Sequence, residues 1–99
     1  MTLVPPFQLI PEPLNDQAAR SLEAGFEWAA PEVGTRHRLG GEPSQQSMPE
    51  PSCSSCSARM TFYGQLDSIS DEICLADAGL VTVWVCFDCF EAQARIESG

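Results

Sequence analysis

The chain has 99 residues, enough for one small domain, and a formal net charge of −9 with five arginines and no lysine. Such a small domain buries a modest fraction of its surface, so a metal site would add useful stability. The negative charge repels phosphate groups, which disfavours nucleic acids and anionic membranes as partners. It favours fast association with a basic protein, although acidity can also serve solubility alone.

Residues 1–13 contain four prolines among larger apolar side chains. Proline has no backbone N–H, so this segment predicts an extended arm or an edge strand that packs on the domain. It lacks the basic n-region of a secretory signal, and no apolar run of the chain is long enough to span a bilayer. We therefore expect a cytoplasmic protein whose thiols stay reduced.

One helix is predicted over residues 15–26, where Asn15 or Asp16 can cap the first turn. Gly25 weakens its last turn. Apolar side chains recur on one face at helical spacing, which predicts core packing: Ala18, Ala19, Leu22 and Phe26.

Residues 31–51 are rich in proline and glycine and predict turns. Within them, residues 35–39 predict a short strand that enters the turn at Gly40 and Gly41. Residues 40–52 are predicted to form a mobile loop that leads into the first cysteine pair.

Two Cys-x-x-Cys pairs follow, Cys53 with Cys56 and Cys86 with Cys89. Each such turn directs two thiolates at one point, so two turns at the ends of paired strands predict a tetrahedral four-cysteine site for a structural Zn²⁺ ion. Because all four ligands are protein thiolates, the site is closed to water. Two alternatives stay open at this point: two disulfides, or unliganded core thiols.

Residues 60–66 and 80–86 are rich in β-branched and aromatic residues and predict the two paired strands. An acidic connection, residues 67–79, joins them. Residues 91–96 alternate apolar and polar side chains, which predicts a final strand although the residue types favour a helix. Phe62 and Trp84 are predicted core residues.

The sequence thus predicts one domain over residues 1–99, of α+β class and mostly β. Its small antiparallel sheet carries a double Cys-x-x-Cys element that resembles a zinc ribbon, over residues 53–90, and one short helix.

Several of these segments resemble the bacterial YwqG-like domain family, whose function is unknown. They are residues 36–43, the pair Cys53-x-x-Cys56, residues 60–67 and residues 83–90. The order of Leu-Gly-Gly-x-Pro, Cys-x-x-Cys and strand-Cys-x-x-Cys also resembles the eukaryotic programmed-cell-death-protein-two-like domain. The resemblance implies a β-rich, non-catalytic binding domain. It further implies either an immunity protein encoded beside a toxin or a chaperone of a basic ribosomal protein.

The remaining chemically active residues are assigned simpler roles. His37, between two arginines, is predicted to be a surface or turn residue rather than a zinc ligand. Cys74 is predicted to be a buried core thiol, and replacement of one zinc ligand by Cys74 or His37 stays open. A Cys74–His37 nucleophile and redox use of a cysteine pair are conceivable, but no local signature supports either. Asp71 and Glu72 are predicted to be a solvated pair.

We therefore expect a non-enzymatic, zinc-stabilised domain that binds a basic protein, with an immunity protein against a toxin as the leading hypothesis. The alternatives are a chaperone or adaptor for a basic protein, and a cysteine-based redox or hydrolytic enzyme. Aromatic residues beside a rigid turn, together with nearby acidic groups, are the predicted partner contacts: Tyr63, Asp67, Asp71, Glu72, Asp77, Phe87, Asp88 and Phe90.

Overall fold

The computed structural model of the chain describes residues 2–46 and 48–98. Within these residues lie one five-stranded antiparallel sheet and one short helix, which confirms the predicted mostly-β class. The strands neighbour one another in chain order. Their bounds are β1 (Phe7–Gln8), β2 (Arg38–Leu39), β3 (Thr61–Asp67), β4 (Leu80–Val85) and β5 (Ala92–Glu97), and the helix is α1 (Asp16–Ala24).

The helix α1 begins at a capping residue, as predicted. The Asn15 side-chain oxygen accepts a hydrogen bond of 2.8 Å from the Ala18 N–H, which pairs one of the free donors of the first turn. Its end comes two residues earlier than predicted, because Gly25 leaves helical geometry with φ of 56°. The helix lies at one end of the sheet, where Leu22 lines a hollow together with Ile69 and Ile73.

The N-terminal segment forms the edge strand β1, one of the two predicted forms of the arm. It pairs with β2, and further backbone hydrogen bonds join Leu9 N–H to His37 and Gly41 N–H to Val4. Gly40, with φ of 71°, permits this close approach: a Cβ there would lie 2.1 Å from the Pro5 carbonyl oxygen.

One face of the sheet, the inner face, carries the predicted aromatic core. Phe62 on β3 lies opposite Trp84 on β4, and their rings meet edge to face at 5.4 Å between centroids. Both side chains are buried, as predicted, and they pack with Met60, Cys53 and Cys86. The core therefore sits directly beside the two cysteine pairs.

Beyond this core the inner face carries Leu80 and several polar side chains. Gln65, Thr82 and Glu97 are almost fully buried. The segment 40–52 lies over them: Ser44 N–H donates to the Gln65 side-chain oxygen at 3.0 Å, and Arg95 donates to the Pro49 carbonyl at 3.0 Å. The predicted mobility of this segment stays a prediction, as does the predicted division into arm, loop and core.

The C-terminal segment forms β5 along the whole length of β4, which confirms the strand predicted from its alternating pattern. Pairing with β4 overrides the helical preference of its residue types. Among the described residues, none of the helical structure is long and apolar enough to cross a membrane.

Candidate metal centre

The two Cys-x-x-Cys turns are built on the same backbone pattern. In the first, Ser57 N–H donates to the Cys53 carbonyl at 2.9 Å, and Cys53 N–H donates to the Ala58 carbonyl at 2.7 Å. In the second, Phe90 N–H donates to the Cys86 carbonyl and Cys86 N–H donates to the Glu91 carbonyl, both at 2.8 Å. We call these two turns the knuckles. Each one holds its cysteines by backbone bonds that do not depend on side-chain identity.

The residue after the second cysteine of each knuckle has a left-handed backbone. Ser57 has φ of 63° and Phe90 has φ of 60°. This conformation reverses the chain so that the following residue can pair with the first cysteine. It normally favours glycine, and for other residues it costs about 1–2 kcal/mol, so its presence in both knuckles marks a geometry that the surrounding structure imposes.

The sheet brings the two knuckles together, because β3 follows the first and β4 precedes the second. The four cysteine sulfurs lie within 4.8 Å of one another, so Cys53, Cys56, Cys86 and Cys89 can hold a metal ion. The separations are 3.7 Å for Cys56–Cys86, 3.8 Å for Cys56–Cys89 and 3.6 Å for Cys86–Cys89. A tetrahedral ion bound at about 2.3 Å from each sulfur separates its ligands by about 3.8 Å.

The remaining close pair, Cys53 and Cys89, is 3.1 Å apart. A disulfide bond is about 2.05 Å long, and all five cysteines of the chain are free. The structure therefore does not contain the two disulfides that the sequence left open, and it groups the thiols as a metal site requires.

Hydrogen bonds to the sulfurs lower the pKa of Cys53 and contribute to the raised pKa values of Cys56 and Cys89. The pKa of Cys53 is lowered to about 7, chiefly because the Cys89 thiol hydrogen-bonds to its sulfur and then because of the Cys56 backbone N–H. The same contact with Cys53 raises the pKa of Cys89. At Cys56 the Ala58 N–H lowers the pKa, but the Cys86 thiol and burial outweigh it and the pKa is raised. Such N–H groups support thiolates that bind a cation.

The cluster has an inner and an outer side. Cys53 and Cys86, the first cysteine of each knuckle, are buried against the aromatic core, whereas Cys56 and Cys89 are exposed. A metal ion bound by the four cysteines would therefore connect the aromatic core with both knuckles.

The Glu91 carboxylate joins the two knuckles by hydrogen bonds on the exposed side of the cluster. Glu91 accepts hydrogen bonds from Ser55 at 2.6 Å and from Ser54 at 3.4 Å, so the residue after the second knuckle holds the two serines inside the first. From the sequence, Glu91 is expected only among the acidic groups around a partner-binding patch. The hydroxyls between the two cysteines were the available signal, because serines in a turn need acceptors.

The structure corrects the prediction for His37. It is buried rather than on the surface, and its Nδ1 accepts a hydrogen bond of 3.0 Å from the Asp67 N–H. It lies outside the thiol cluster. This hydrogen bond joins the C-terminal end of β3 to the segment before β2.

The structure also corrects the prediction for Cys74, which is exposed rather than buried. Its sulfur accepts from the Ala78 N–H at 3.3 Å within its own turn. Cys74 is outside the thiol cluster, and the hydrogen bonds described for it and for His37 do not join the two residues.

Asp67, predicted as a partner contact, is instead the centre of a buried network. Its carboxylate accepts two hydrogen bonds of 2.8 Å from the Arg36 guanidinium and further bonds from three backbone N–H groups. Burial raises its pKa, but the bonds from Arg36 and Gly34 outweigh burial and hold the pKa below its usual value. With 4% of Asp67 exposed, the prediction that it lies on a contact surface is wrong.

The other predicted partner residues divide between the two ends of the sheet. Asp71, Glu72 and Asp77 lie in the connection before β4 and are exposed. After β4 come Phe87, Asp88 and Phe90, which lie in the second knuckle. The six residues of β4 separate the two groups by about 20 Å at ~3.3 Å per residue, so they do not form one patch.

The aromatic members of the set differ in exposure. Tyr63 is 40% exposed at an irregularity in the pairing of β3 with β4, Phe87 is half-buried, and Phe90 is 78% exposed. Asp88 beside Phe90 is exposed as well. The second knuckle therefore presents the most accessible combination of an aromatic ring and a carboxylate in the predicted set.

Comparison with family models, with curated proteins and with solved structures found no significant match.

Proposed function

We propose that the four cysteines bind a single Zn²⁺ ion with a structural role. Four thiolates at tetrahedral separations suit zinc, which prefers this ligand set in closed sites. The bound ion would supply fixed coordination bonds between the two knuckles. Four thiolates and one divalent cation would change the formal charge of the chain from −9 to −11.

We further propose that the chain is a non-enzymatic domain that binds a basic protein, with a toxin neutralised by this binding as the leading candidate. The acidity of the chain supports this, because opposite charge accelerates association and the chain has 14 acidic residues against five arginines and no lysine. The resemblance of residues 36–90 to a family of binding domains points the same way and stays a prediction.

The observation that carries this proposal is the position of Phe90. Its ring is 78% exposed and adds little to the core, yet its left-handed backbone would be about 1 kcal/mol more favourable with glycine. The matching position of the first knuckle has a small side chain, Ser57. A bulky exposed aromatic on a strained, metal-fixed turn is a pre-organised anchor for a partner.

The test replaces Phe90 with glycine. Because glycine relieves the left-handed strain, Phe90→Gly should leave thermal stability unchanged or raise it. Binding should weaken by roughly 30-fold, as expected for a contact worth about 2 kcal/mol. The matched control is Trp28→Ala, which removes an exposed aromatic remote from the knuckles and should leave binding unchanged.

The partner is sought by purifying the tagged chain from its own host at low and at high salt. A basic protein that is released by salt, and whose recovery falls with Phe90→Gly, supports the proposal. A toxin is indicated if the captured protein arrests growth unless the chain is co-expressed. Recovery of no basic protein, or equal recovery with both variants, would refute the proposal.

A further inference from the structure

The sheet has a second face that is apolar and open to solvent. In an antiparallel sheet, directly paired residues lie on the same face, so the register assigns the side chains. Leu66 pairs with Val81, which pairs with Ile96, and Val83 pairs with Ala94. We call Phe7, Leu39, Leu66, Val81, Val83, Ala94 and Ile96 the open face.

The exposure of these side chains confirms that nothing in the described chain covers them. Leu66 is 51% and Ile96 is 52% exposed, and Val81 and Val83 on β4 are half-buried. The opposite side chains of β4 are buried completely. The strand β4 thus turns Leu80, Thr82 and Trp84 inward but also presents valines outward, where a sheet with one solvent-exposed face usually carries polar side chains.

The dimensions of the molecule agree with one uncovered side. The shortest extent is 19 Å, which accommodates the sheet and a single covering layer at the usual spacing of about 10 Å. The accessible surface is 6498 Å², whereas a monomer of 10.8 kDa exposes about 5,500 Å². The surplus of roughly 1,000 Å² is comparable to the ~800 Å² that each partner contributes to a standard interface.

We infer that the open face is the interface of a homodimer, in which a second copy of this chain packs face to face to form a two-sheet sandwich. The composition selects this occupant. Apart from Phe7 on the edge strand, the side chains are aliphatic. The face lacks the Trp, Tyr and Arg that dominate contacts between different proteins, and it resembles the interior of a domain divided in two, as in obligate homodimers. The face bears no charge, so the net charge of −9 on each copy opposes pairing only over longer distances.

The side chains on the open face differ in height from row to row, in a way that is compatible with a two-fold axis. Leu66, Val81 and Ile96 form a raised row across β3, β4 and β5. In the next row Val83 on β4 is as large as Val81, but Gly64 on β3 and Ala94 on β5 make the row low on both sides of it. A two-fold axis that runs between the two rows and parallel to them places the raised row of one copy opposite the low row of the other copy. Such a contact is isologous and closes at two copies.

The test measures the mass of the zinc-loaded full chain by sedimentation equilibrium over a wide concentration range. We expect twice the 10.8 kDa of one chain. Ile96→Arg and Ile96→Glu should each raise the dimer dissociation constant by roughly 100-fold or more, because symmetry places two copies of the change in one interface. The control is Ile73→Arg, a matched isoleucine that is 50% exposed in the connection before β4. It should leave the mass unchanged.

Other outcomes would overturn this inference. A wild-type chain that is monomeric throughout would do so, as would a dimer that survives both charges at Ile96. If the Ile96 variants fail to fold by circular dichroism, Leu66→Glu on β3 repeats the test at a similarly exposed position. Salt should tighten the dimer by screening like charges, so a dimer that salt dissociates contradicts the inference. None of these results bears on partner binding at Phe90, which lies beyond the end of β4.

Discussion

Asp67 shows how one carboxylate can organise a small domain. It joins the end of β3 to Gly34 and Arg36, and Arg36 in turn donates to the Ala78 carbonyl at 2.9 Å. Three separate segments therefore meet at one buried charge pair. The pair is satisfied on both sides, which is the condition under which burial of charges is tolerated.

Replacing this carboxylate by an amide should be costly. We expect Asp67→Asn to lower the free energy of unfolding by about 3–5 kcal/mol, because it leaves the Arg36 guanidinium buried without its counter-charge. Urea unfolding followed by tryptophan fluorescence measures the loss. Asp71→Asn, at an exposed carboxylate with one backbone contact, is the control and should cost less than about 1 kcal/mol.

The same substitution has a pH signature. The folded-state pKa of Asp67 lies below the ordinary 3.8, so its stabilisation is fully present above that value and is lost as pH falls through the folded pKa. The stability gap between wild type and Asp67→Asn should therefore be constant at neutral pH and shrink in acid below about pH 4. A gap that does not change with pH would contradict the assignment.

Residue-level prediction from sequence succeeded where a pattern spans several residues and failed for single residues. The four cysteines of the candidate metal centre were identified because their spacing is itself the geometry of such a site. Cys74 was assigned to the core from its apolar neighbours, but an irregular turn has no periodic face from which burial follows. His37 was assigned to the surface because its arginine neighbours are charged, whereas Arg36 itself is largely buried with Asp67.

At the scale of elements, the strands β3, β4 and β5 were predictable within one or two residues, because each follows a run of β-forming or alternating residues. The helix was also predictable apart from its last turn. The short strands β1 and β2, with two residues each, exist by pairing rather than by propensity, because β2 pairs with β3 and β1 pairs with β2. Only tertiary contacts define elements of this length.

The attachment of the arm can be tested at Gly40. A Cβ at this position would collide with the Pro5 carbonyl, so Gly40→Ala should displace β1 and destabilise the fold by about 1–3 kcal/mol. Hydrogen exchange at the Leu9 and Gly41 amides, which bond to His37 and Val4, measures the displacement.

Gly25→Ala is the matched control for the arm experiment. It also places alanine at a positive φ, but no atom lies within 4 Å of the new Cβ. It should cost about 1–3 kcal/mol from backbone strain alone, because Gly25 has φ of 56° and ψ of −143°, and leave exchange at Leu9 unchanged. Equal exchange in both variants would show that the arm does not depend on the close approach at Gly40.

For the whole molecule, the metal centre makes the sharpest prediction. Cys56→Ser removes one exposed ligand without altering the core. It should weaken zinc binding by more than the ~10–100-fold that loss of an outer-shell partner costs, and it should lower thermal stability. Elemental analysis and thermal unfolding measure the two effects. Cys74→Ser, at the exposed cysteine outside the cluster, should retain one zinc ion per chain. Metal-free wild-type protein prepared under reducing conditions would refute the site.

The overall class and the metal centre followed from the sequence, but the orientation of the sheet did not. In β4 the sequence alternates Leu, Val, Thr, Val, Trp and Val, so both faces look apolar. The structure turns Thr82 inward because Trp84 donates to its hydroxyl at 3.1 Å and Gln65 lies opposite it. The contents of the inner face come from four distant segments, and a local pattern carries no information about such an assembly.

Closure of the thiol cluster also affects how the chain folds. Cys56 and Cys86 are 30 residues apart, and joining such distant points in an unfolded chain costs about 3 kcal/mol of entropy. If both knuckles bind the ion early in folding, the chain loses this entropy before β3 and β4 begin to pair. The metal would then act as a folding nucleus, and refolding should be faster when zinc is added before denaturant is diluted than when it is added afterwards.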